Sequence, residues 1–311
     1  MPTDIPKKNP DVYGLMAFSL VCLVSLSGYM VAEAKSITVT SLYIEGAPQS
    51  VVFISDPHLQ DKNIGHISNA VDIINSLNAS VVLIGGDFVN GENDNFTLQE
   101  VWSKIDAPVY AILGNHDYHS GINGINGQYK MLDVATETNR TVEGYDMSPL
   151  SADTDTSDLD FADSVAGVLE DNGVNVLRNE YVTLDINGTS LRVVGLDDGW
   201  AGMADPPYVP ESDDFTIFMI HEPECRADWD ANLILSGHTH GGQFTPPFVQ
   251  ILNENGIIEL SGYFDSGTPL YITSGIGSSP LFGIELRYES QPEIVVINPS
   301  SPIEGSNVVY A

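Results

Sequence analysis

Basic side chains are scarce in this chain: 11 Lys and Arg stand against 43 Asp and Glu, a formal net charge of −32 in 311 residues. Gripping a nucleic-acid backbone needs Lys and Arg to neutralise phosphates, so nonspecific nucleic-acid binding is not expected. The acids are dispersed as well as clustered, which fits a strongly hydrated surface, as in a high-salt setting, better than an acidic interaction module. Cysteine is nearly absent. Cys22 and Cys225 lie in unrelated contexts, so neither a disulfide nor a thiolate metal site is expected. Internal repeats are lacking too, and the length suffices for one large core. The expected organisation is an N-terminal segment over residues 1–35, a catalytic domain over 36–299 and a loose tail over 300–311.

Long apolar runs are also missing after the N-terminus, where one is prominent. Val12–Ala32 is uncharged for 21 residues. As a helix it spans roughly 30 Å, the thickness of a hydrocarbon core. Lys7 and Lys8 precede it and Lys35 follows, a bias that puts the N-terminus inside and the domain outside. Ala32-Glu33-Ala34 also matches a signal-peptidase site, so a secreted, cleaved form is the alternative. The run exceeds the usual signal core of about 7–15 residues, which favours an uncleaved single-pass membrane anchor.

The rest alternates short β-branched runs with helical periodicity. Ser36–Glu45 reads as an edge strand. Ile64, Ile67, Val71, Ile74 and Leu77 recur at helical spacing and predict an amphipathic helix over Asn63–Asn78. Thr97–Ile105 is a second helix candidate. The Gly- and Asn-rich stretch Gly121–Gln128 reads as a mobile loop. Ser151–Asp171 reads as a solvated loop followed by a short helix. Tyr181–Ile186 and Leu191–Leu196 flank Asn187-Gly188, a hairpin signal. Tyr271–Thr273 and Glu293–Asn298 are closing strands. Strands and helices alternate early and strands dominate late, which gives an α/β fold with two sheets flanked by helices.

What the sequence does hold is five donor clusters, each just after such a strand: Asp56-Pro57-His58, Gly86-Asp87, Gly114-Asn115-His116-Asp117, His221, and Gly237-His238-Thr239-His240-Gly241-Gly242-Gln243. Their strands are Val51–Ser55, Val81–Gly85, Val109–Leu113, Phe215–Ile220 and Leu233–Ser236. Strand followed by oxygen or nitrogen donor, repeated in this way, gathers ligands from distant sequence onto one sheet edge. A two-metal hydrolase needs cations about 3.5–4 Å apart, an anionic bridge and a held water. Asp87, in its glycine frame, suits the bridge. Asp56 with His58, and His238 with His240, share the i, i+2 relation that lets a pair grip one metal. Asn115 offers a neutral carbonyl oxygen. His116 suits a proton donor, with Asp117 available to hold its ring. Singly, an Asp after a strand is more often a turn or helix cap, and a lone His such as His66 or His119 a structural group. The joint order of the clusters outweighs those readings.

These motifs resemble the signature set of the calcineurin-like metallophosphoesterases. Gly-His-Thr-His-Gly-Gly-Gln, with Leu177-Arg178-Asn179-Glu180, Gly195-Leu196-Asp197-Asp198 and Pro292-Glu293-Ile294, is similar to the membrane-associated YkuE/YaeI-type phosphodiesterase branch. The resemblance runs over roughly residues 50 to 298. It implies a four-layer αββα sandwich with a binuclear centre. One metal falls on Asp56, His58, Asp87 and His240, the other on Asp87, Asn115, His221 and His238, and the leaving-group histidine on His116. Pro57 fills a free position and Asn90 stands where some relatives have Asp; neither removes a ligand. Nitrogen and oxygen donors suit Mn, Fe or Zn, and sequence does not choose among them.

The expected reaction is phosphoester hydrolysis by direct attack of a metal-bridging hydroxide, without a covalent enzyme intermediate. The expected substrate is a diester or pyrophosphate, with lipid-linked esters among the candidates. Trp200, Met203, Pro206, Pro207 and Tyr208 would supply an apolar lip. A phosphomonoesterase or nucleotidase with the same centre is the alternative enzyme. A catalytically silent, metal-stabilised surface binding protein is the alternative outside enzymes, disfavoured by the retention of His116. Oligomeric state is not encoded in any motif.

Overall fold

A computed structural model describes residues 10–91, 95–122, 157–265, 267–278, 284–300 and 308–310, with isolated positions between 125 and 132. The N-terminal run forms one helix, α1 (Pro10–Glu33). Tyr13–Glu33 within it has a mean hydropathy of 2.0 and is long and apolar enough to cross a membrane. Its apolar side chains from Tyr13 to Leu26 are exposed, as a helix with no protein partner along that stretch leaves them.

The domain after it stacks two sheets. The first has seven strands in the order β13 (Val308–Tyr310), β1 (Thr38–Ile44), β12 (Glu293–Pro299), β2 (Val51–Ile54), β3 (Val81–Ile84), β4 (Val109–Ala111) and β5 (Val174–Val176), and the second six, β10 (Gly262–Phe264), β11 (Leu270–Ile272), β9 (Leu233–Ser236), β8 (Phe215–Met219), β7 (Thr189–Gly195) and β6 (Glu180–Ile186). In the first sheet β2 (Val51–Ile54), β3 (Val81–Ile84) and β4 (Val109–Ala111) run parallel, with Val51 opposite Val81 and Val82 opposite Val109. β2 and β3 are buried along their whole length, which is why they read as unbroken apolar runs rather than alternating ones. In the second sheet β8 (Phe215–Met219) and β9 (Leu233–Ser236) are parallel neighbours. One core fills the space between the sheets: Phe53, Leu83, Ile112, Ile217, Met219 and Leu235 meet there. That core presses the carboxyl ends of β2, β3, β4, β8 and β9 together, and all five donor clusters leave from those ends.

Outside the first sheet lie α2 (Ile64–Ser76), the 3₁₀ stretch Phe96–Lys104 and the helix Leu159–Asp171. α2 turns Ile67, Ala70, Val71 and Ile74 inward, at the spacing that the sequence displays. Outside the second sheet the cover is made of loops and a 3₁₀ turn, centred on Trp200, Cys225 and Trp229. Helices and strands thus form the expected four-layer stack, with a thinner fourth layer. The Asn187-Gly188 hairpin is present: φ is 54° and 87° at the two positions, and β6 (Glu180–Ile186) and β7 (Thr189–Gly195) pair in antiparallel register.

Three expectations change. Thr97–Ile105 is 3₁₀ over Phe96–Lys104 instead of an α-helix. Ser36–Glu45 is no edge: β1 (Thr38–Ile44) lies between β12 (Glu293–Pro299) and β13 (Val308–Tyr310), parallel to both. The tail beyond 299 therefore contributes a strand. Sequence periodicity reports which residues face a core and is silent on which distant strand lies alongside. Asn123, Gly124 and Asn126 of the Gly121–Gln128 loop, and Ser151–Thr156, lie outside the described residues.

Candidate metal centre

The five clusters converge. Ligand-type atoms of Asp56, His58 and His240 lie within 4.8 Å of one another, as do those of His58, Asp87 and His116, and those of Asp87, His221 and His238. Asp87 belongs to two of these groups. Its Oδ2 is 3.4 Å from His58 Nε2 and 3.2 Å from His221 Nε2. Asn115 joins them through its Oδ1, 3.1 Å from His238 Nδ1. Its Nδ2 donates to the Ser120 carbonyl at 2.6 Å, and that bond fixes which end of the amide faces the cluster. Asp56 Oδ1 is 3.7 Å from His240 Nε2, and both Asp56 oxygens accept from the His238 backbone N–H at 3.0 and 3.1 Å.

Local backbone makes this possible. Asp56, His58, Asp87, His238 and His240 all have positive φ, between 41° and 67°. Such conformations are uncommon outside glycine and gather at functional sites. They turn each strand sharply at its end, so donors leave the sheet edge rather than continue along it. Glycines clear the space around them. A Cβ on Gly237 would collide with Asp56 Oδ2, and one on Gly114 would meet Asp87 Oδ1 and lie 2.8 Å from His221 Cε1.

The chemistry of this donor set fits divalent cations. His58 Nδ1 faces the Val89 carbonyl at 3.2 Å and His221 Nδ1 the Gly85 carbonyl at 2.6 Å. Each ring thereby keeps a proton on Nδ1 and turns Nε2 inward, the usual outer bonding of a metal-ligating imidazole. Burial pushes His58 down to about 3 and His238 down to about 4, so both rings are neutral donors. Negative charge is in excess. Burial, only partly opposed by His221, raises Asp56 to about 6. Burial together with Asp87 raises Asp117 to about 7. Burial would raise Asp87 as well, but His221 and His116 outweigh it and hold that carboxylate well below its usual range. Burial alone would depress His221; Asp87, Asp56 and Glu222 together drive it well above the ordinary histidine value. Buried acids with so few compensating side chains call for added positive charge.

His116 and His238 are the half-buried members of the set, while Asp56, His58, Asp87, Asn115, His221 and His240 are buried. The His116 Nδ1 accepts from the Gly91 backbone N–H at 3.3 Å, which leaves the ring proton on Nε2. Asp117 does not hold that ring. Its Oδ1 accepts from Val89 N at 3.1 Å and its Oδ2 from Gly114 N at 3.0 Å, so it buckles the third cluster to the loop after Asp87. A backbone amide does the orienting that the sequence suggested for a carboxylate.

The expected lip divides. Trp200 stands edge-on to His238, with centroids 4.4 Å apart. Pro206, Pro207 and Tyr208 instead line a cavity of about 620 Å³ with Arg192 and Trp229, and no member of the donor set lines it. His66 and His119 are structural, as expected: one bonds the Ile276 carbonyl at 2.8 Å and the other stacks on Phe161 at 3.9 Å.

Sequence reasoning missed three supports. Asp198 and Glu222 are buried side by side behind His221, and burial with Glu222 raises Asp198 well above its usual value. Arg287 is fully buried and donates to the carbonyls of His240, Ser290, Gly275 and Gly277. Tyr118 bonds Asp197 at 2.6 Å while Arg178 bonds both, tying the third cluster to the second sheet. For the first pair, two adjacent acid-bearing strand ends were the available signal; for Arg287 there was none.

Comparison with known proteins agrees with this geometry. Residues 50–242, more than half of the chain, match the family model of the calcineurin-like phosphoesterases. The chain is 26% identical over 266 residues to phosphodiesterase YaeI of Escherichia coli K12, covering 81% of this chain and 82% of that protein. It is 28% identical over 269 residues to the uncharacterized metallophosphoesterase YkuE of Bacillus subtilis, covering 81% and 79%. It is 25% identical over 284 residues to the UDP-2,3-diacylglucosamine pyrophosphatase LpxG of Chlamydia trachomatis, covering 79% and 82%. A sheet edge that collects acid, amide and imidazole donors, within a chain matched over these lengths, identifies a hydrolase of the calcineurin-like phosphoesterase family.

Proposed function

We propose that this protein is a membrane-anchored phosphodiesterase or pyrophosphohydrolase that works with two divalent cations. Asp56, His58, Asp87 and His240 would hold one, and Asp87, Asn115, His221 and His238 the other. The observation that carries this is the place of Asp87 Oδ2 between His58 Nε2 at 3.4 Å and His221 Nε2 at 3.2 Å, one imidazole from each set, which suits a shared ligand. Bound there, the cations supply a water of lowered pKa and neutralise charge developing on phosphorus. The chain's own part is positioning and proton transfer. Bonds from Val89 and Gly85 carbonyls keep two imidazoles aimed, and the glycine frame lets a phosphoryl group approach backbone. His116, half-buried at the rim, would turn Nε2–H toward the departing oxygen and transfer that proton as the imidazolium, once the Gly91 contact at Nδ1 gives way to a second ring proton. By distance alone His116 is as near to Asp87 and His58 as a ligand would be, so its role is separable only by metal analysis of a variant.

Diesters are the favoured substrates, lipid-linked ones included. One relative is named for UDP-2,3-diacylglucosamine, an acylated pyrophosphate, and α1 would keep this centre beside a bilayer. Support for an uncleaved anchor comes from the end of α1. Glu33 and Ala34, at the signal-peptidase motif, are buried in the domain, and Glu33 Oε1 accepts from Ser290 N at 2.8 Å. Lys7 and Lys8 favour the domain on the outer side. Assay of the Mn-loaded protein on bis-p-nitrophenyl phosphate and p-nitrophenyl phosphate tests the reading: faster turnover of the diester is expected, and a monoester preferred by an order of magnitude would point to a phosphomonoesterase.

A further inference from the structure

The segment after the last donor cluster is unlike the rest of this acidic surface. Between Phe244 and Ile258 the only charged residue is Glu254. Its helix, Pro247–Glu254, buries none of its residues. Phe248 and Ile251, one turn apart, are 66% and 56% exposed, and Phe244 and Ile257 flank them at 51% and 67%. A surface patch this apolar needs a partner.

The structure shows what adjoins it. Phe244 packs on Tyr288, centroids 5.1 Å apart, and Tyr288 packs on Tyr29 near the end of α1 at 6.0 Å. Backbone bonds fix the same contact: Thr245 N donates to the Tyr288 carbonyl at 2.9 Å, and Arg287 N to the Met30 carbonyl at 3.2 Å. The patch therefore begins one ring away from the end of the apolar helix, where Tyr side chains are at home at a membrane–water boundary. It also begins directly after His238-Thr239-His240, and Arg287, between Met30 and His240, bonds on both sides.

We infer that Phe244, Phe248, Ile251 and Ile257 rest in the bilayer that holds α1, as an interfacial helix that seats the metal centre at the lipid surface. This rests on α1 being a retained membrane span. With one acid and no base in the segment, insertion is driven by apolar burial, so it should not require anionic lipid.

The test uses the full chain with Cys22→Ser, labelled with an environment-sensitive fluorophore at Ile251→Cys, and reconstituted in phosphatidylcholine vesicles containing spin-labelled lipid. Leu26→Cys in α1 and Asn187→Cys at the exposed hairpin tip are the references; Cys225 is buried. Quenching of about twofold or more is expected at 251 and at 26, with none at 187, as for a helix lying at the acyl boundary. Adding phosphatidylglycerol should leave the value at 251 unchanged. Quenching at 26 without quenching at 251 overturns the inference while the anchor stands, and a self-associated species in the same sample would assign the patch to a second copy. A chain that begins near Lys35, or is stripped from vesicles by alkaline wash, overturns the anchor and the inference together.

Discussion

The two sheets contribute unequally to the candidate metal centre. The first supplies every carboxylate in the set, Asp56 and Asp87, together with Asn115, His58 and His116. The second supplies imidazoles alone, His221, His238 and His240. Their covers differ too: helices seal the outer face of the first sheet, while loops around Trp200, Cys225 and Trp229 cover the second. The charge that would draw cations is thus built into the more regular half, and the imidazoles that would complete their coordination come from the half with the looser cover.

The sharpest way to break this asymmetry is to remove one donor from each half in turn. Asp87→Asn should lower metal content and cut turnover by about 10⁴-fold or more, since several kcal/mol of charge stabilisation goes with the shared carboxylate. His221→Asn leaves the acids intact and should lose less of both. Metal analysis beside kinetics decides it, and equal losses would mean that the halves are equivalent. His116→Ala comes next. It should retain both cations while losing about 10²–10⁴-fold on a substrate with a poor leaving group, and less on one whose leaving group needs no proton. A variant purified short of metal would make His116 a ligand.

Smaller effects test the frame. Arg287→Met leaves the carbonyls of His240, Gly275 and Gly277 without their shared donor and should cost about 3 kcal/mol in denaturant unfolding, the scale of a lost charged hydrogen bond. An unchanged midpoint would show that water replaces the guanidinium. The smallest pair compares the halves directly. Asp158 caps the helix Leu159–Asp171 over the first sheet by accepting from Phe161 N at 3.0 Å, and Gly188 turns the β6–β7 hairpin of the second at φ 87°. Asp158→Ala and Gly188→Ala should each cost about 1 kcal/mol. If both sheets unfold as one unit, each lowers Tm by about 2–4 °C and leaves a single transition. Two resolved transitions would show that the sheets melt separately.

Much of this was legible because the signals are local. Val51–Ile54 and Val81–Ile84 announce buried parallel strands by their unbroken apolar composition, and the donors at their ends announce the candidate centre. The Asn187-Gly188 turn needs only two residues to specify it. What escaped depends on contacts between distant segments. Nothing near Arg287 in sequence reveals that it will be buried against His240, and nothing near Asp117 reveals that Val89 will claim one of its oxygens. The positive φ at Asp56, His58, Asp87, His238 and His240 is likewise imposed from outside, though Asp and His are among the few residue types that tolerate it. The docking of Glu33 against Ser290 joins opposite ends of the chain and leaves no local trace.

The position of β12 has a consequence for how the protein is made. Glu293–Pro299 inserts between β1 and β2, parallel to one and antiparallel to the other. A ribosome at about 5–20 residues per second needs on the order of ten to fifty seconds to travel from β2 to β12. Throughout that interval β1 lacks both of its sheet neighbours among the described residues and β2 presents an open, wholly apolar flank. A message truncated before this strand would yield an unclosed sheet rather than a smaller enzyme. The last-made strand of the first sheet's centre acts as its keystone, and closure of the sheet that carries the candidate centre waits on its synthesis.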